Sequence, residues 1–145
     1  MPLSASTCAG WTALSNIYTK NGQFIEDFAL RSCPKILVYD HKFIKTAPLR
    51  TLASGIADAL AKWYESSITS STIDDGLVQQ AIQISRVLRD QLLIDGQKAF
   101  NSEFENNPSW RNTIEACGLT AGLVGGLGGE KCRTAAAHAL SLIHI

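Results

Sequence analysis

Hydrophobic and polar positions follow different patterns on the two sides of Pro48. Before it, residues 12–19 and 23–30 have the character of partly buried strands. Asn21-Gly22 lies between them and tolerates positive φ at both turn positions, which predicts a tight hairpin. Residues 36–39 form a short apolar run suited to a buried strand. The first third of the chain is therefore predicted to be sheet.

After Pro48 the hydrophobic residues recur at helical spacing. Pro48 suits the first turn of a helix, because its missing N–H costs nothing there. The polar residues 66–72 break this pattern and predict the end of the helix. The helix is expected to pack through one apolar stripe, made of Leu49, Leu52, Ile56, Leu60 and Trp63.

A long helix is predicted from about Asp74 to Phe100. It is apolar on more than one face, because Ile84 and Val87 lie outside its main stripe, and such a helix is usually central in a bundle. Ser109 is expected to cap the next helix. Four glycines weaken that next helix but let another backbone approach it closely, namely Gly118, Gly122, Gly125 and Gly126.

The composition is that of a folded domain without net charge. The chain has 145 residues, of which 46% are apolar, enough for one domain with a core. Basic and acidic residues number 13 each, so no field of one sign is available to hold nucleic acid or an anionic membrane. No apolar run reaches membrane-spanning length, and the N-terminus lacks the layout of a signal peptide. The cysteines Cys8, Cys33, Cys117 and Cys132 are scattered, which favours a reducing cytoplasm over a disulfide framework.

These patterns predict an α+β chain that is mainly α, with a piece of sheet followed by a helical bundle. A hairpin plus one strand makes a poor independent sheet, because its edges and one face need partners. The sequence therefore indicates that a preceding part of the sheet is missing.

Candidate chemistry is sparse, and each candidate has a structural alternative. The glycine-rich residues 122–131 do not form a phosphate-binding loop, because Glu130 intervenes before the lysine. Asp58 shares a polar helix face with small residues; the pattern favours a solvated acid, although a ligand could approach closely there. His138 lies among alanines, where a packed histidine is commoner than a catalytic one. Residues 4–8 could present N–H groups and hydroxyls to a cofactor, or form a plain loop.

Three separated blocks of the chain resemble the glycerol dehydrogenase-like branch of the iron-containing alcohol dehydrogenase family. They are residues 2–12, 47–65 and 135–139, and they occur in the family's order and at similar spacing. The resemblance implies an α/β dinucleotide-binding domain followed by an all-helical metal-binding domain, with the active site between them. Residues 1–47 would be the end of the first domain and residues 48–140 the beginning of the second. Met1 is then not expected to be the native start.

The resemblance also implies a site. Asp58 and His138 match metal ligands, and no catalytic residue beyond the metal ligands is implied. A further histidine and the Gly-rich pyrophosphate loop are absent from this chain. Cys8 stands where glycerol dehydrogenases carry an aspartate that contacts the polyol, which puts glycerol in doubt and points to the related hydroxycarboxylate dehydrogenases. The implied dinucleotide contacts are Leu3, Ser4, Ser6, Thr12, Leu14 and Tyr18.

The implied reaction is reversible hydride transfer between NAD or NADP and a small polyol or 2-hydroxy acid. One divalent cation, zinc or iron, would act as a Lewis acid. The expected partners are a small-molecule alcohol or 2-oxo acid and further copies of the parent chain in a cytoplasmic homo-oligomer, without nucleic acid or membrane.

Two further expectations concern the chain itself. Residues 141–145 depart from the family and match the translation of a common transposase adaptor, so this tail, with His144, is predicted to be non-native. With two ligands present and the Gly-rich loop missing, the polypeptide alone is expected to be inactive. The alternative is a non-enzymatic helical interaction module, which would explain the bundle and the neutral charge but not the ordered match.

Overall fold

The structure is a computed structural model that describes residue 5 and residues 9–70, 72–100 and 107–132. These residues are mainly helical and carry a two-stranded sheet, so the predicted class, α+β and mainly α, is confirmed. The strands are β1 (Leu14–Tyr18) and β2 (Phe24–Ala29), and the α-helices are α1 (His41–Lys45), α2 (Leu49–Thr69), α3 (Gly76–Phe100), α4 (Pro108–Glu115) and α5 (Ala121–Gly128). A π-turn, Ala116–Thr120, joins α4 to α5, and 3-10 turns span Ala9–Trp11 and Gly129–Cys132.

β1 and β2 form the predicted hairpin, with Tyr18 opposite Phe24. Its turn is closed by the Gly22 amide, which donates to the Thr19 carbonyl at 3.0 Å. Gly22 has a φ of 82°, whereas no non-glycine residue that the structure describes has a positive φ. Asn21 does not adopt the left-handed conformation that this pair tolerates, because the connection is longer than two residues and only its glycine must turn back.

The predicted strand at residues 36–39 is wrong. Ile36 is 81% exposed and Val38 55% exposed, so the run is not buried. The alternate side chains turn inward, with Leu37 against Gly10 and Tyr39 against the core. A ladder needs a second strand beside it, and the described part of the chain supplies none there.

α2 extends into the polar stretch that was expected to end it, and it ends there, at Thr69. Ser66 and Ser70 are fully buried, and the Ser66 hydroxyl lies 2.9 Å from that of Ser85 on α3. The Thr69 hydroxyl donates to the Glu65 carbonyl at 2.8 Å, which satisfies the hydroxyl inside the helix. The helix therefore ends inside the stretch that was predicted to end it. Its last turn is nevertheless packed, because a serine whose hydroxyl is satisfied can be buried as well as a small apolar residue.

α3 is central, as predicted, and packs against α2, α4 and α5. Asp75 caps its start, where a carboxylate oxygen accepts the Leu77 amide at 3.0 Å. Of the two residues outside the predicted stripe, Val87 is 63% exposed, whereas Ile84 packs against a buried cluster that includes Val78 and Ala81. No helix in the described ranges is both long and apolar enough to cross a bilayer. The main stripe is buried through Val78, Ala81, Leu88 and Leu92.

α4, the π-turn and α5 follow one another without a break. Asn107 is the N-cap, because its side chain accepts the Ser109 amide at 3.0 Å, and Pro108 occupies the first turn. The prediction that Ser109 is the cap is therefore wrong by two positions. The Ser109 hydroxyl instead donates to Asp95 of α3 at 2.7 Å. The π-turn is a local widening of the helix, of a kind that often occurs near functional sites.

Candidate functional site

Asp58 lies on α2 and is half-buried beside the π-turn. Its neighbour across the gap is Cys117, which is 2% exposed. Burial, with a smaller contribution from the negative charge of Asp58, raises the pKa of the Cys117 thiol to about 12. Asp58 thus lies within electrostatic reach of the π-turn.

The Asp58 carboxylate can supply one of the ligands of a divalent cation. A half-buried carboxylate gains from a nearby cation, because part of its hydration has been removed. The described ranges gather no group of three His, Cys, Asp or Glu side chains that could hold a metal. His138, the other predicted ligand, lies outside the described residues. The structure therefore places one member of the predicted pair and leaves the pairing a prediction.

The predicted cofactor residues divide into described and undescribed ones. Thr12 is buried next to the 3-10 turn Ala9–Trp11, while Tyr18 is exposed at the far end of β1. Leu14 begins β1. The structure therefore does not gather these three at one point. The remaining predicted contacts, Leu3, Ser4, Ser6 and the substrate residue Cys8, lie outside the described residues.

Glycines of the π-turn and α5 let side chains approach closely, whereas the sequence predicted the approach of another backbone. Among the described residues this is seen only at Gly126, whose Cβ position lies 3.9 Å from the Trp11 carbonyl oxygen. A Cβ at Gly118 would overlap the Tyr39 hydroxyl, and one at Gly122 would overlap the Trp11 ring. A Cβ at Gly125 would lie 3.2 Å from the Thr12 methyl. Residues 10–12 and Tyr39 therefore pack directly on the helix that also carries Cys117. The segment predicted to meet the cofactor and the region of Asp58 share this helix as a common support.

A second polar cluster, which sequence reasoning missed, holds the turn Gly129–Cys132 against α2. Thr69 donates its hydroxyl to the Lys131 carbonyl at 3.2 Å, and Ser70 donates its hydroxyl to the same oxygen. The Lys131 ammonium lies 2.9 Å from the Asp75 carboxylate. The hydrogen bond that Lys131 donates to Asp75 is the main reason that the pKa of Asp75 lies below its ordinary value. We name Thr69, Ser70, Asp75 and Lys131 the carbonyl clamp.

A buried acid on α3, also missed, joins α3 to α4. Asp95 is 5% exposed and accepts hydrogen bonds from Gln91, from Ser109 at 2.7 Å and from Asn112 at 2.9 Å. Burial alone would raise the pKa of Asp95, but these donors and the charge of Lys98 outweigh it and hold the pKa below the ordinary value. The sequence did contain a signal for this cluster, namely that Asp95 falls in register with the buried apolar stripe of α3. A buried aspartate at such a position must receive hydrogen bonds from its neighbours.

Comparisons with known proteins agree on one group of enzymes. The chain is 46% identical over 140 residues to an uncharacterized oxidoreductase of Synechocystis sp., covering 97% of this chain and 36% of that protein. It is 32% identical over 144 residues to hydroxycarboxylate dehydrogenase A of Escherichia coli, covering 97% of this chain and 40% of that protein. The crystal structure of glycerol dehydrogenase from Schizosaccharomyces pombe matches with a TM-score of 0.82 and 31% identity, covering 99% of this chain and 38% of that one.

The matches cover nearly all of this chain but less than half of each curated relative. No protein-family model matches the chain. The chain spans 36% and 40% of the lengths of the two curated relatives, so it corresponds to a segment of each. Sequence and fold agree along nearly all of that segment. The chain is a homologue of the glycerol dehydrogenases and of hydroxycarboxylate dehydrogenase A.

Proposed function

We propose that this chain is an internal part of a metal-dependent, NAD(P)-linked dehydrogenase that acts on CH–OH groups. The observation that carries the proposal is the position of Asp58, which is half-buried and whose charge reaches Cys117 in the π-turn. The π-turn and α5, which pack against α2, support Trp11 and Thr12 through their glycines. A metal ligand and a cofactor-binding segment on a common support are what a hydride-transfer site between two domains requires.

The proposed domain division falls at Pro48. Residues 1–47 would end the dinucleotide-binding domain, residues 48–140 would begin the helical metal-binding domain, and residues 141–145 would be a non-native tail. Exposed apolar side chains on the first part support this division, because a sheet in the rest of the parent protein would cover them. They include Ile25, Phe28, Ile36 and Val38.

In the proposed site, Asp58 and His138 hold one divalent cation. A carboxylate oxygen and an imidazole nitrogen suit zinc or iron equally. The cation, when bound, supplies Lewis acidity that lowers the pKa of the substrate hydroxyl. The Cys117 thiol stays protonated at neutral pH because its pKa is raised to about 12. Cys117 thus adds no second negative charge beside Asp58.

The remaining assignments follow from the resemblance of the sequence to this family. Leu3, Ser4, Ser6, Thr12, Leu14 and Tyr18 would contact NAD or NADP, and Cys8 would contact the substrate. The substrate would be a small polyol or a 2-hydroxy acid with its 2-oxo acid, and the parent would be a cytoplasmic homo-oligomer. A cysteine at the substrate position offers no carboxylate to a polyol hydroxyl, which favours the hydroxy acid.

The second candidate is a non-enzymatic helical interaction module. Exposed apolar residues on α2 and α3 favour it, among them Tyr64, Val87 and Leu93. A face of this kind could bind another helix. The dehydrogenase proposal also accounts for this face, because the parent's missing helices could cover it. The two candidates differ in whether Asp58 matters for activity.

The experiment is to recover the full-length gene and assay its product with NAD(P)H on 2-oxo acids and dihydroxyacetone. We expect a strand followed by a Gly-rich loop upstream, turnover by the full-length protein, and none by the 145-residue chain. Asp58→Asn in the full-length protein should remove most of the turnover, whereas Asp74→Asn, at an exposed position, should not. Full turnover by Asp58→Asn, or robust turnover by the short chain, would overturn the proposal.

A further inference from the structure

Trp11 lies directly on a glycine of α5. A Cβ built on Gly122 would lie 2.4 Å from Cδ1, 2.7 Å from Cγ and 2.8 Å from Cβ of Trp11, whereas carbon atoms in contact stand about 3.5–4.0 Å apart. The overlap includes the Cβ of Trp11, whose position follows from the backbone. A rotation of the ring would therefore not relieve it, and glycine is required at this position while Trp11 stays in place.

The next residue, Thr12, is held by the same helix. Thr12 is 8% exposed, and its methyl group lies 3.2 Å from the Cβ position of Gly125. Gly122 and Gly125 are three residues apart and therefore lie on one face of α5. We name these two glycines the glycine seat. Trp11 and Thr12 thus dock on one helix as consecutive residues.

The helix that carries the glycine seat is the more firmly held partner in this contact. Ala121 and Val124 of α5 are fully buried, and α5 packs along α3. Trp11, by contrast, is 43% exposed. A methyl group added at Gly122 would therefore displace Trp11 and the residue that follows it, while the helix stays in place.

The glycine seat lies close to the region of Asp58. Gly122 is five residues beyond Cys117, about one and a half turns of helix, and the charge of Asp58 reaches Cys117. The two docked residues precede Pro48 and so fall in the proposed dinucleotide-binding domain, yet they pack on the proposed metal-binding domain. The contact therefore crosses the proposed domain boundary on the helix that approaches the proposed metal ligand.

We propose that Trp11 is a positioning residue whose ring, lying on the glycine seat, fixes Thr12 relative to this helix and so sets the affinity of the parent enzyme for NAD or NADP. The inference rests on the proposed function, because it takes Thr12 as a dinucleotide contact. Trp11 acts through Thr12 and not through a contact of its own with the cofactor. Hydride transfer depends on such positioning, because the reacting atoms must approach to about 3–3.5 Å.

The test uses the full-length parent protein and two alanine substitutions in one helix. Gly122→Ala fills the seat, and Gly128→Ala is the matched control, because a Cβ there would also lie 2.4 Å from a neighbour, Cys132. Trp11→Ala removes the ring without creating an overlap, and Trp11→Phe keeps an aromatic ring. For each variant, calorimetry gives the dissociation constants of NADH and NADPH, and thermal unfolding gives the structural cost of the change.

Gly122→Ala and Gly128→Ala should unfold at similarly lowered temperatures, but only Gly122→Ala should weaken binding of the reduced cofactor, by roughly tenfold or more. Trp11→Ala should weaken it in the same direction, and Trp11→Phe much less. Binding by Gly122→Ala and Trp11→Ala that is as tight as binding by Gly128→Ala would overturn the role of Trp11 and leave the proposed function intact. Failure of the unmodified full-length protein to bind NADH or NADPH would instead overturn the proposed function.

Discussion

The negative charge of Asp58 reaches the buried Cys117 thiol and adds to the effect of burial in raising its pKa. This relationship places an acid of α2 against the π-turn and gives the thiol an unreactive, protonated character. Cys33, by contrast, is exposed, and Cys132 is buried.

Thiol labelling should follow this order of exposure. At pH 8 a small alkylating reagent should modify Cys33 in the folded chain, while Cys117 and Cys132 stay protected because both are buried. The raised pKa of Cys117 protects it further, because the thiolate is the reactive form. Peptide mass spectrometry with and without urea measures this, and urea should expose both protected thiols. Labelling of Cys117 as fast as Cys33 in the native chain would contradict the burial described here.

A glycine of the π-turn or α5 should not tolerate substitution where another residue packs against it. Gly118→Ala should lower the free energy of unfolding by about 1–3 kcal/mol, because the new Cβ overlaps the Tyr39 hydroxyl. Gly76→Ala is the matched control, since nothing lies within 4 Å of its Cβ position. It should be neutral or stabilising by up to about 1 kcal/mol. Urea unfolding of both variants tests the pair, and equal destabilisation would contradict the close approach.

The buried acid Asp95 should make stability depend on pH on the acid side. Its pKa is lowered in the folded protein, so its contribution is fully present above the unfolded pKa of about 3.9 and is lost as the pH falls through the folded pKa. Asp95→Asn should cost about 1–3 kcal/mol at pH 7, because the amide cannot accept from all three donors. It should also flatten the acid limb of the stability profile.

A matched acid provides the comparison for Asp95. Asp90 on the same helix is exposed and pairs with its neighbour Arg89 at 2.7 Å. Asp90→Asn should therefore change stability little and leave the pH profile in place. Chemical denaturation at a series of pH values measures both variants, and parallel profiles for the two would refute the role given to Asp95.

The exposed apolar residues before Pro48 should make the isolated chain self-associate. Replacing Ile36 and Val38 with lysine should reduce association without lowering the unfolding temperature, because both side chains are largely in solvent. Light scattering at increasing protein concentration measures the association. Lysine at the exposed position Val87 is the control on the helical side. A loss of stability in the double variant would mean that these residues are part of the core.

Local patterns predicted the elements better than the contacts between them. The hairpin around Gly22 and the span of α3 follow from periodicity and turn residues, which are properties of neighbouring residues. The strand at residues 36–39 failed because a strand needs a partner that local pattern cannot supply. The end of α2 within residues 66–72 was predicted. The burial of its last turn was not, because the Ser66 and Ser70 hydroxyls find partners on α3 and at Lys131, far away in sequence.

The same contrast between local pattern and distant contacts holds for the candidate site. Periodicity placed Asp58 on the polar face of its helix and could not show that the π-turn approaches that face. The resemblance to a family supplied the role of Asp58, and the structure supplied its surroundings. The clamp and the Asp95 cluster join residues that are distant along the chain, so no window of sequence contains them.

The central claim is that Asp58 and His138 share a divalent cation. The most direct measurement is a Co²⁺ titration of the chain that follows the His138 imidazole protons in the unmodified protein and in Asp58→Asn. The account predicts a saturable paramagnetic shift of His138 that Asp58→Asn abolishes, while Asp74→Asn leaves it unchanged. A shift of the same size and midpoint in Asp58→Asn, or no shift at His138 in the unmodified chain, would contradict it.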